Sequence, residues 1–271
     1  MKPKIKVAQI GVGYWGPNLL RNLASNPRCE LLMCVDLSED RKNYVKSLYP
    51  KIEVSGHVED VFNNSEIDAV VIATPVKTHY ELAIKALKNK KHILVEKPMA
   101  RTVKEVEEIE FLSEKNELIA MSGHTFLFNP AVKKIKEIIS SGDIGEIRYI
   151  YSQRLNLGRI RNDVDALWNL APHDISIIKF WLEDLEPLKV SRNGMDYLQK
   201  GIEDVSFLTL TYSNNILVNI HVSWLDPNKI RKITVVGSKK MIVYDDLSKN
   251  KIAIYDKGID RKAVLGENMD F

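Results

Sequence analysis

The sequence predicts an α/β domain built on a doubly wound parallel sheet, followed by an α+β domain with an open sheet. In the first half, short apolar runs alternate with helical patterns, which is typical of βαβ units. The run from Asp68 to Thr74 is apolar on both pleat faces, as expected of a central parallel strand. After Gly123 the segments become β-rich. We therefore expect one domain over residues 1–122 and a second over residues 123–271.

The elements of the first domain follow from apolar runs separated by helical patterns. The expected strands are Lys4–Ile10, Glu30–Val35, Asp68–Thr74, His92–Glu96 and Leu118–Ser122. The helical patterns between them cover Tyr14–Ser25, Glu39–Leu48, Thr78–Lys88 and Val103–Lys115. Thr102 and Glu105 fit a capping box at the start of the last of these helices.

The second domain is predicted to combine two helices with a sheet. The helices are expected over Pro130–Ser140 and around Pro172–Leu182. The β-rich stretches are Ile147–Asn156, Leu188–Met195, Val205–Tyr212, Ile216–Trp224 and Ile230–Tyr244. Alternation of apolar and polar residues suggests antiparallel strands with one buried face and one face that is more exposed to solvent. Turn residues at 213–215 and 237–240 favour hairpins.

Composition and charge exclude several classes of protein. The net charge is only +3, and Lys and Arg are scattered among Asp and Glu, so we do not expect a nucleic-acid-binding face. No apolar run approaches the roughly 18 residues that span a bilayer, and the first apolar stretch ends at Gly11, which argues against a signal peptide. Cys29 and Cys34 form neither a disulfide framework nor a zinc spacing. We expect a cytoplasmic protein with no metal site.

The strongest local signal is Gly11-Val12-Gly13-Tyr14-Trp15-Gly16, between an expected strand and an expected helix. In dinucleotide-binding folds, the first glycine permits a tight turn and the second lets the backbone approach a pyrophosphate. The third permits close packing of the helix on the strand. The helix N-terminus then offers N–H groups and a partial positive charge to the phosphates. An ordinary glycine-rich turn shows the same pattern, so the surrounding residues must decide.

Asp36 ends the second strand, about 20 residues beyond the last glycine. A carboxylate there accepts hydrogen bonds from the adenosine ribose and repels a 2′-phosphate, which favours NAD over NADP. The nearby Arg41 and Lys42 weaken that preference without reversing it. Asp36 alone could cap the next helix. The combination of the strand, the three glycines, the helix and the acidic residue predicts a Rossmann domain that binds NAD.

Two further segments are expected in the ligand crevice, beyond the carboxyl ends of the strands. They are Ala73-Thr74-Pro75, which ends the central strand, and Glu96-Lys97-Pro98, which ends the next one. A lone lysine at a strand end is usually a solvated charge, but Lys97 lies between a carboxylate and a rigid turn. His79 is placed to edge the nicotinamide pocket, and His124 opens the second domain where it could line the crevice.

Four segments in this order resemble the Gfo/Idh/MocA oxidoreductases over nearly the whole chain: residues 11–16, 73–75, 96–98 and 169–174. The resemblance implies a Rossmann domain with an open-sheet second domain, usually assembled into homodimers or homotetramers through the sheets. It implies oxidation or reduction of a secondary alcohol on a sugar, an inositol or a nucleotide sugar with a nicotinamide cofactor.

The resemblance also implies roles for individual residues. Lys97 would touch both the nicotinamide ribose and the substrate hydroxyl, and His173 would be the general base. An imidazole suits proton uptake because its unperturbed pKa is near neutrality, and a nearby ammonium stabilises a developing alkoxide.

Two features depart from the family pattern. Asn169 stands where an aspartate is common, and it can orient an imidazole but cannot stabilise an imidazolium by charge. This departure could slow proton transfer or make Lys97 the principal proton acceptor. Family members usually continue for several dozen residues after the sheet, so a chain that ends at Phe271 is expected to be shortened or truncated.

The segment from Arg154 to Asp163 is expected to select the substrate. Arg154, Asn156 and Arg161 suit a polyhydroxylated, anionic ligand, because guanidinium forks bind carboxylate or phosphate bidentately. A solvated charged loop is the alternative interpretation. Trp168 could stack on a sugar ring or fill the core.

The residues around His173 are most similar to family members that act on nucleotide sugars, such as UDP-N-acetylglucosamine or its uronic acid at C3. We therefore expect an NAD-dependent dehydrogenase of a ring hydroxyl. An inositol dehydrogenase, a ketoreductase or a glycosidase on the same scaffold remains an alternative, as does an NAD-binding sensor without turnover.

Overall fold

The computed structural model describes residues 3–158, 160–183 and 185–258. It divides into two compact units, Met1–His124 and Thr125–Phe271. In the part of the chain that is described, no helix is both long enough and apolar enough to cross a membrane.

The first unit contains a six-stranded parallel sheet. Its strands are β1 Ile5–Ile10, β2 Cys29–Val35, β3 Glu53–Ser55, β4 Ala69–Ile72, β5 His92–Val95 and β6 Ala120–Ser122. Its helices are α1 Gly16–Ser25, α2 Glu39–Leu48, α3 Glu59–Asn63, α4 His79–Lys88 and α5 Val103–Lys115. The strand order is β3-β2-β1-β4-β5-β6 with every pair parallel, so the predicted doubly wound sheet is confirmed.

Local sequence accounts for most of these boundaries. The Thr102 side chain accepts from the Glu105 N–H and Glu105 reaches back to the Thr102 N–H, which is the predicted capping box of α5. Helix α1 begins at Gly16 and not at Tyr14, because Trp15 occupies the N-cap and a proline follows in the first turn. The three-residue β3 and the five-residue α3 were not predicted, since such short elements show no clear periodicity.

The second unit contains a seven-stranded mixed sheet and two long helices. Its strands are β7 Ile147–Leu155, β8 Lys189–Met195, β9 Val205–Thr211, β10 Leu217–Ser223, β11 Ile230–Gly237, β12 Met241–Asp245 and β13 Ile252–Tyr255. The helices are α6 Pro130–Ser140 and α7 Ala166–Trp181. The order is β13-β12-β11-β7-β10-β9-β8. The pair β7–β10 is parallel, whereas the alternation of residues had suggested only antiparallel pairing.

Three predictions for the second unit were wrong in detail. Helix α7 begins at Ala166 and not near Pro172, because Asp165 caps it by accepting the Trp168 N–H at 2.8 Å. Pro172 lies inside the helix, whose buried face packs on the sheet. The predicted stretch Ile230–Tyr244 is two strands separated by a turn at 238–240, and β13 was not predicted.

A buried ion pair attaches α7 to β7. The Arg154 guanidinium donates from Nε and Nη2 to the two carboxylate oxygens of Asp174, both at 2.9 Å. The two residues are only 4% and 1% exposed. The guanidinium also lies 4.9 Å from the centre of the Phe126 ring. Burial opposes the charged form, but Asp174, together with Asp246 and Tyr244, outweighs it and raises the pKa of Arg154. The pair therefore fixes how α7 is rotated on the sheet.

We expect Arg154→Met and Asp174→Leu each to lower the free energy of unfolding by about 3–5 kcal/mol, because each leaves one buried charge without its partner. The double variant should recover most of that loss, since an apolar pair replaces both charges. Lys134→Ala, which removes an exposed Lys134–Glu137 pair, is the control and should change stability by about 1 kcal/mol at most. Urea denaturation measures all four; single variants as stable as the control would contradict the role of the pair.

Candidate active site

Two glycines hold the loop after β1 against the sheet. Gly11 has φ +94°, and a Cβ added there would be 2.6 Å from the Ala73 carbonyl oxygen at the end of β4. A Cβ on Gly16 would be 2.6 Å from the Gly11 carbonyl oxygen. A Cβ on Gly13 would meet no atom within 4 Å. The loop is therefore tightly packed at its two ends and open at its middle, where the predicted pyrophosphate would approach.

Gln9 is a site residue that the sequence analysis missed. It is fully buried in β1, and its Nε2 donates to the carbonyl oxygens of Gly11 at 2.9 Å and Gly16 at 3.0 Å. One side chain thus joins both ends of the glycine loop. The sequence does contain a signal for this role. Gln9 is a polar residue inside an apolar, buried strand, and a buried polar side chain requires hydrogen-bond partners.

Asp36 lies beside the same loop. Its carboxylate accepts the Val12 N–H at 2.7 Å and the Ser38 N–H at 2.9 Å. A carboxylate has about four acceptor positions, so these two bonds leave room for ribose hydroxyls. Tyr14 is strongly exposed, at 84%. Lys42 forms an ion pair with Glu39, which reduces its influence on a nearby phosphate.

His79 joins the ends of β4 and β5. It is buried, with Nδ1 at 2.9 Å from the Pro98 carbonyl oxygen and Nε2 at 2.8 Å from the Thr74 carbonyl oxygen. Both ring nitrogens contact the backbone, so the prediction that His79 contacts the cofactor must be revised. It instead positions the segments that contain Thr74 and Lys97. The exposed Pro75 follows Thr74 in the first of them.

Glu96 and Lys97 follow β5 directly. The Lys97 N–H donates to a Glu96 carboxylate oxygen at 3.2 Å, and the Trp15 indole also donates to that carboxylate. Burial raises the pKa of Glu96, and these contacts partly oppose that rise. A Cβ on Gly123 would lie 3.2 Å from Glu96. Glu96 therefore links the glycine loop to the end of β5.

Helix α7 presents Asn169 and His173 on one side. The two residues are four positions apart, which places their side chains on neighbouring turns of the same helical face. Both are half-buried. The His173 ring contacts Phe126 edge-to-face with centroids 5.0 Å apart, and Phe126 in turn contacts Arg154. The Arg154–Asp174 ion pair and the contact with Phe126 together restrict the position of the His173 ring.

The predicted substrate residues occupy different environments. Arg154 is bound to Asp174 and buried, so its prediction as a substrate contact must be revised to a positioning role. The Arg161 fork is engaged by Asp163, with Nε donating at 2.8 Å. Asn156 is half-buried, and Trp168 is 42% exposed at the start of α7. The predicted loop residue Arg159 lies outside the described residues.

These residues can support two kinds of chemistry. In the first unit, the glycine loop, Asp36 and the ends of β4 and β5 meet at one edge of the sheet, a geometry suited to a dinucleotide. In the second unit, an imidazole with an amide one turn away is suited to proton transfer. Among the described residues, no group of three or more His, Cys, Asp or Glu side chains could hold a metal ion.

Comparison with known proteins identifies the parts of the chain. Residues 5–124 match a family model described as an oxidoreductase family with an NAD-binding Rossmann fold, and residues 132–243 match the GFO/IDH/MocA C-terminal domain. An uncharacterised oxidoreductase of Streptococcus pneumoniae is 25% identical over 224 residues, covering 78% of this chain and 60% of the relative. The chain spans about six tenths of the length of the curated relatives it matches.

Two further relatives act on or bind a nucleotide sugar. UDP-N-acetylglucosamine 3-dehydrogenase of Acidithiobacillus ferrooxidans is 26% identical over 195 residues, covering 72% of this chain and 60% of that protein. The crystal structure of the WlbA dehydrogenase of Bordetella pertussis in complex with NADH and UDP-GlcNAcA superposes with a TM-score of 0.85. That alignment has 19% identity and covers 97% of this chain and 80% of that one, so it concerns the fold alone. The two family models together establish that this chain belongs to the Gfo/Idh/MocA family of oxidoreductases.

Proposed function

We propose that this protein is an NAD-dependent oxidoreductase that acts on a ring secondary alcohol of a sugar or nucleotide sugar. The observation that carries the proposal is the glycine loop: it is closed at Gly11 and Gly16, open at Gly13, and lies beside Asp36. In this proposal residues 1–122 bind the cofactor, and residues 123–271 bind the substrate and mediate assembly.

The residues of the first unit fit a dinucleotide. The open backbone at Gly13 and the N-terminus of α1 would take the pyrophosphate. The free acceptor positions of Asp36 would take the adenosine ribose hydroxyls, and its charge disfavours the 2′-phosphate of NADP. The exposed faces of Tyr14 and Trp15, and the ends of β4 and β5 at 73–75 and 96–97, would complete the site. When bound, the nicotinamide supplies the acceptor or donor of the hydride.

The proposed catalytic groups are Lys97, His173 and Asn169. His173 takes the proton of the substrate hydroxyl as the carbonyl forms, and Asn169 orients the imidazole from one turn away. The Lys97 ammonium stabilises the negative charge that develops on the substrate oxygen. Because an asparagine carries no charge, Lys97 provides the main electrostatic stabilisation among these three groups.

The substrate is proposed to be a nucleotide sugar such as a UDP-N-acetylhexosamine or its uronic acid, oxidised at C3. The relative with UDP-N-acetylglucosamine 3-dehydrogenase activity supports this choice. In the second unit, Trp168 offers an exposed ring face for a sugar, and Asn156 offers amide hydrogen bonds. Arg161 can contact an anionic group only by sharing its fork with Asp163.

The open face of the second sheet is proposed as the surface through which copies of the chain assemble into a homodimer or homotetramer. Strand register places Tyr149 beside Leu217, and Phe207 beside His221, on the face opposite the buried residues of β7, β9 and β10. Tyr149 and Tyr151 stack with ring centroids 6.4 Å apart, and Phe207 stacks on His221 at 4.2 Å. A large, partly exposed aromatic face of this kind is typical of an interface.

Gly11→Ala and Gly13→Ala should separate folding from cofactor binding. Gly11→Ala is expected to cost about 3 kcal/mol of stability, because an alanine at φ +94° is strained and its Cβ meets the Ala73 backbone. Gly13→Ala should leave the unfolding free energy within about 1 kcal/mol but weaken NAD binding at least about tenfold, since its methyl group enters the approach path. Thermal unfolding and NAD titration measure these effects; unchanged NAD affinity in Gly13→Ala would contradict the placement of the pyrophosphate.

Lys97→Met and His173→Gln should each lower turnover by about 100-fold or more, because each removes a group that acts on the substrate oxygen. Their NAD dissociation constants should stay within about fivefold of wild type, since the glycine loop and Asp36 are intact. Lys88→Met, at an exposed lysine of α4, is the control. Turnover is followed by NADH absorbance over a panel of UDP-sugars, free sugars and inositols. Full turnover in both variants would refute the catalytic assignment, and NAD binding without turnover of any compound would favour the sensor alternative.

Leu217→Glu combined with Phe207→Glu should convert the assembled protein to monomers, because buried charges without partners oppose association. Phe111→Glu, at an exposed aromatic residue of α5, is the control and should leave the mass unchanged. Sedimentation velocity gives the mass of each variant. A double variant that keeps the wild-type mass, or a wild type that is monomeric, would contradict assembly through this face.

A further inference from the structure

The register of β5 and β6 continues beyond the ends of the two strands. Val95 pairs with Ser122 in the last step of the parallel ladder, and the Gly123 N–H donates to the Val95 carbonyl oxygen at 2.8 Å. Gly123 then lies against Glu96, as the 3.2 Å approach of its Cβ position to the Glu96 Cα demonstrates. Lys97 follows Glu96 on one side, and His124 follows Gly123 on the other, where the chain turns and the His124 N–H donates to the Ser122 carbonyl oxygen at 2.8 Å.

His124 responds to the lysine charge. Burial, and after it the charge of Lys97, lowers the pKa of His124. Its Nδ1 atom is buried and, among the described residues, makes no hydrogen bond in this structure. A neutral imidazole has one ring nitrogen that can accept a hydrogen bond. In the tautomer that carries its proton on Nε2, His124 therefore holds a buried acceptor near Lys97 that is unused in this structure.

The chemistry of Lys97 indicates which donor the His124 acceptor would bind. An ammonium carries three N–H donors. In the proposed reaction, one N–H would contact the nicotinamide ribose and another would contact the substrate hydroxyl. A carboxylate acceptor for the third N–H would offset the positive charge that stabilises the alkoxide. A neutral imidazole accepts the hydrogen bond and leaves that charge intact.

We propose that His124 is a positioning residue for Lys97, whose Nδ1 accepts one ammonium N–H in the loaded site and thereby directs the other two. The proposal rests on the proposed function, because it assigns the other two donors to cofactor and substrate. The structure groups His124 with the first unit, which also contains Lys97.

The proposal predicts a pH dependence. Lys97 is the charged group that acts on His124 within the described part of the chain, and Glu96 lies one step away against Gly123. Protonation of His124 removes the acceptor and places a second positive charge beside the ammonium. Activity should therefore fall as the pH drops through the pKa of His124, which lies below the ordinary value of about 6.5.

The first experiment needs no substrate. The pKa and the Nδ1 chemical shift of His124 are measured by NMR on histidine-labelled protein, with and without NAD, in wild type and in Lys97→Met. We expect the pKa of His124 to rise by about half a unit or more in Lys97→Met, because the neighbouring positive charge is lost. NAD should move the wild-type Nδ1 signal toward that of a hydrogen-bonded acceptor. A pKa that Lys97→Met leaves unchanged, or an Nδ1 signal that NAD leaves unchanged, overturns the proposal even if no sugar is turned over.

The second experiment uses the substrate that the panel identifies. His124→Phe keeps the ring but removes the acceptor, and it should lower kcat by about tenfold to 100-fold while KM for NAD changes by less than about threefold. Protonation of the proposed base His173 still produces an acid limb in this variant, but the limb should fall with the slope of one proton, where wild type approaches the slope of two. His124→Asn restores an oxygen near the Nδ1 position and should recover most of kcat. His57→Phe, at an exposed loop histidine, is the control. Wild-type kcat and an unchanged acid limb in His124→Phe would overturn the proposal.

Discussion

The close contact between Gly11 and the end of β4 is the constraint on which the cofactor side of the molecule depends. The chain leaves β1 at φ +94° and passes so near Ala73 that no side chain fits between them. The turn then leads directly into α1, with Gly16 pressed against the Gly11 carbonyl oxygen. Gln9 and Asp36 bond to this loop from two neighbouring strands, so its shape does not depend on a ligand. A preformed loop reduces the ordering entropy that binding would otherwise cost.

Side-chain hydrogen bonds also connect the ends of β4 and β5 at the same edge of the sheet. His79 connects the backbone after β4 to the backbone after β5, and the Trp15 indole connects the glycine loop to Glu96. Displacement of one segment therefore strains the others. Lys97 lies within this connected set, which restricts where its ammonium can go. Positioning of this kind is how residues remote from a reaction contribute to its rate.

Local patterns in the sequence were enough to predict the fold class and to place the glycine loop, Asp36 and Lys97 at the ends of parallel strands. Each of these depends on residues that are close in sequence or on the rule that parallel strands end at one edge. The role of Arg154 could not be predicted in this way, because its partner Asp174 is twenty positions away and the sequence does not reveal which acid it meets. His79 was misassigned for the same reason, since its bond to Pro98 spans nineteen positions. The start of α7 was misplaced because Pro172 suggested a first turn, whereas the Asp165 cap and the buried helix face determine the helix.

The environments of the arginines bear directly on substrate selection. A loop with several arginines suggests an anionic ligand, but Arg154 is neutralised by Asp174 and Arg161 is paired with Asp163. An anionic substrate would have to displace or share a carboxylate at Arg161, so charge contributes less to recognition than the sequence suggests. In the proposed function, amide and ring contacts at Asn156 and Trp168 would then carry more of the selection, because such groups distinguish sugars by shape and hydrogen bonding more than by charge. In the proposed function, the second unit distinguishes substrates, while the glycine loop, Asp36 and Lys97 of the first unit serve the cofactor.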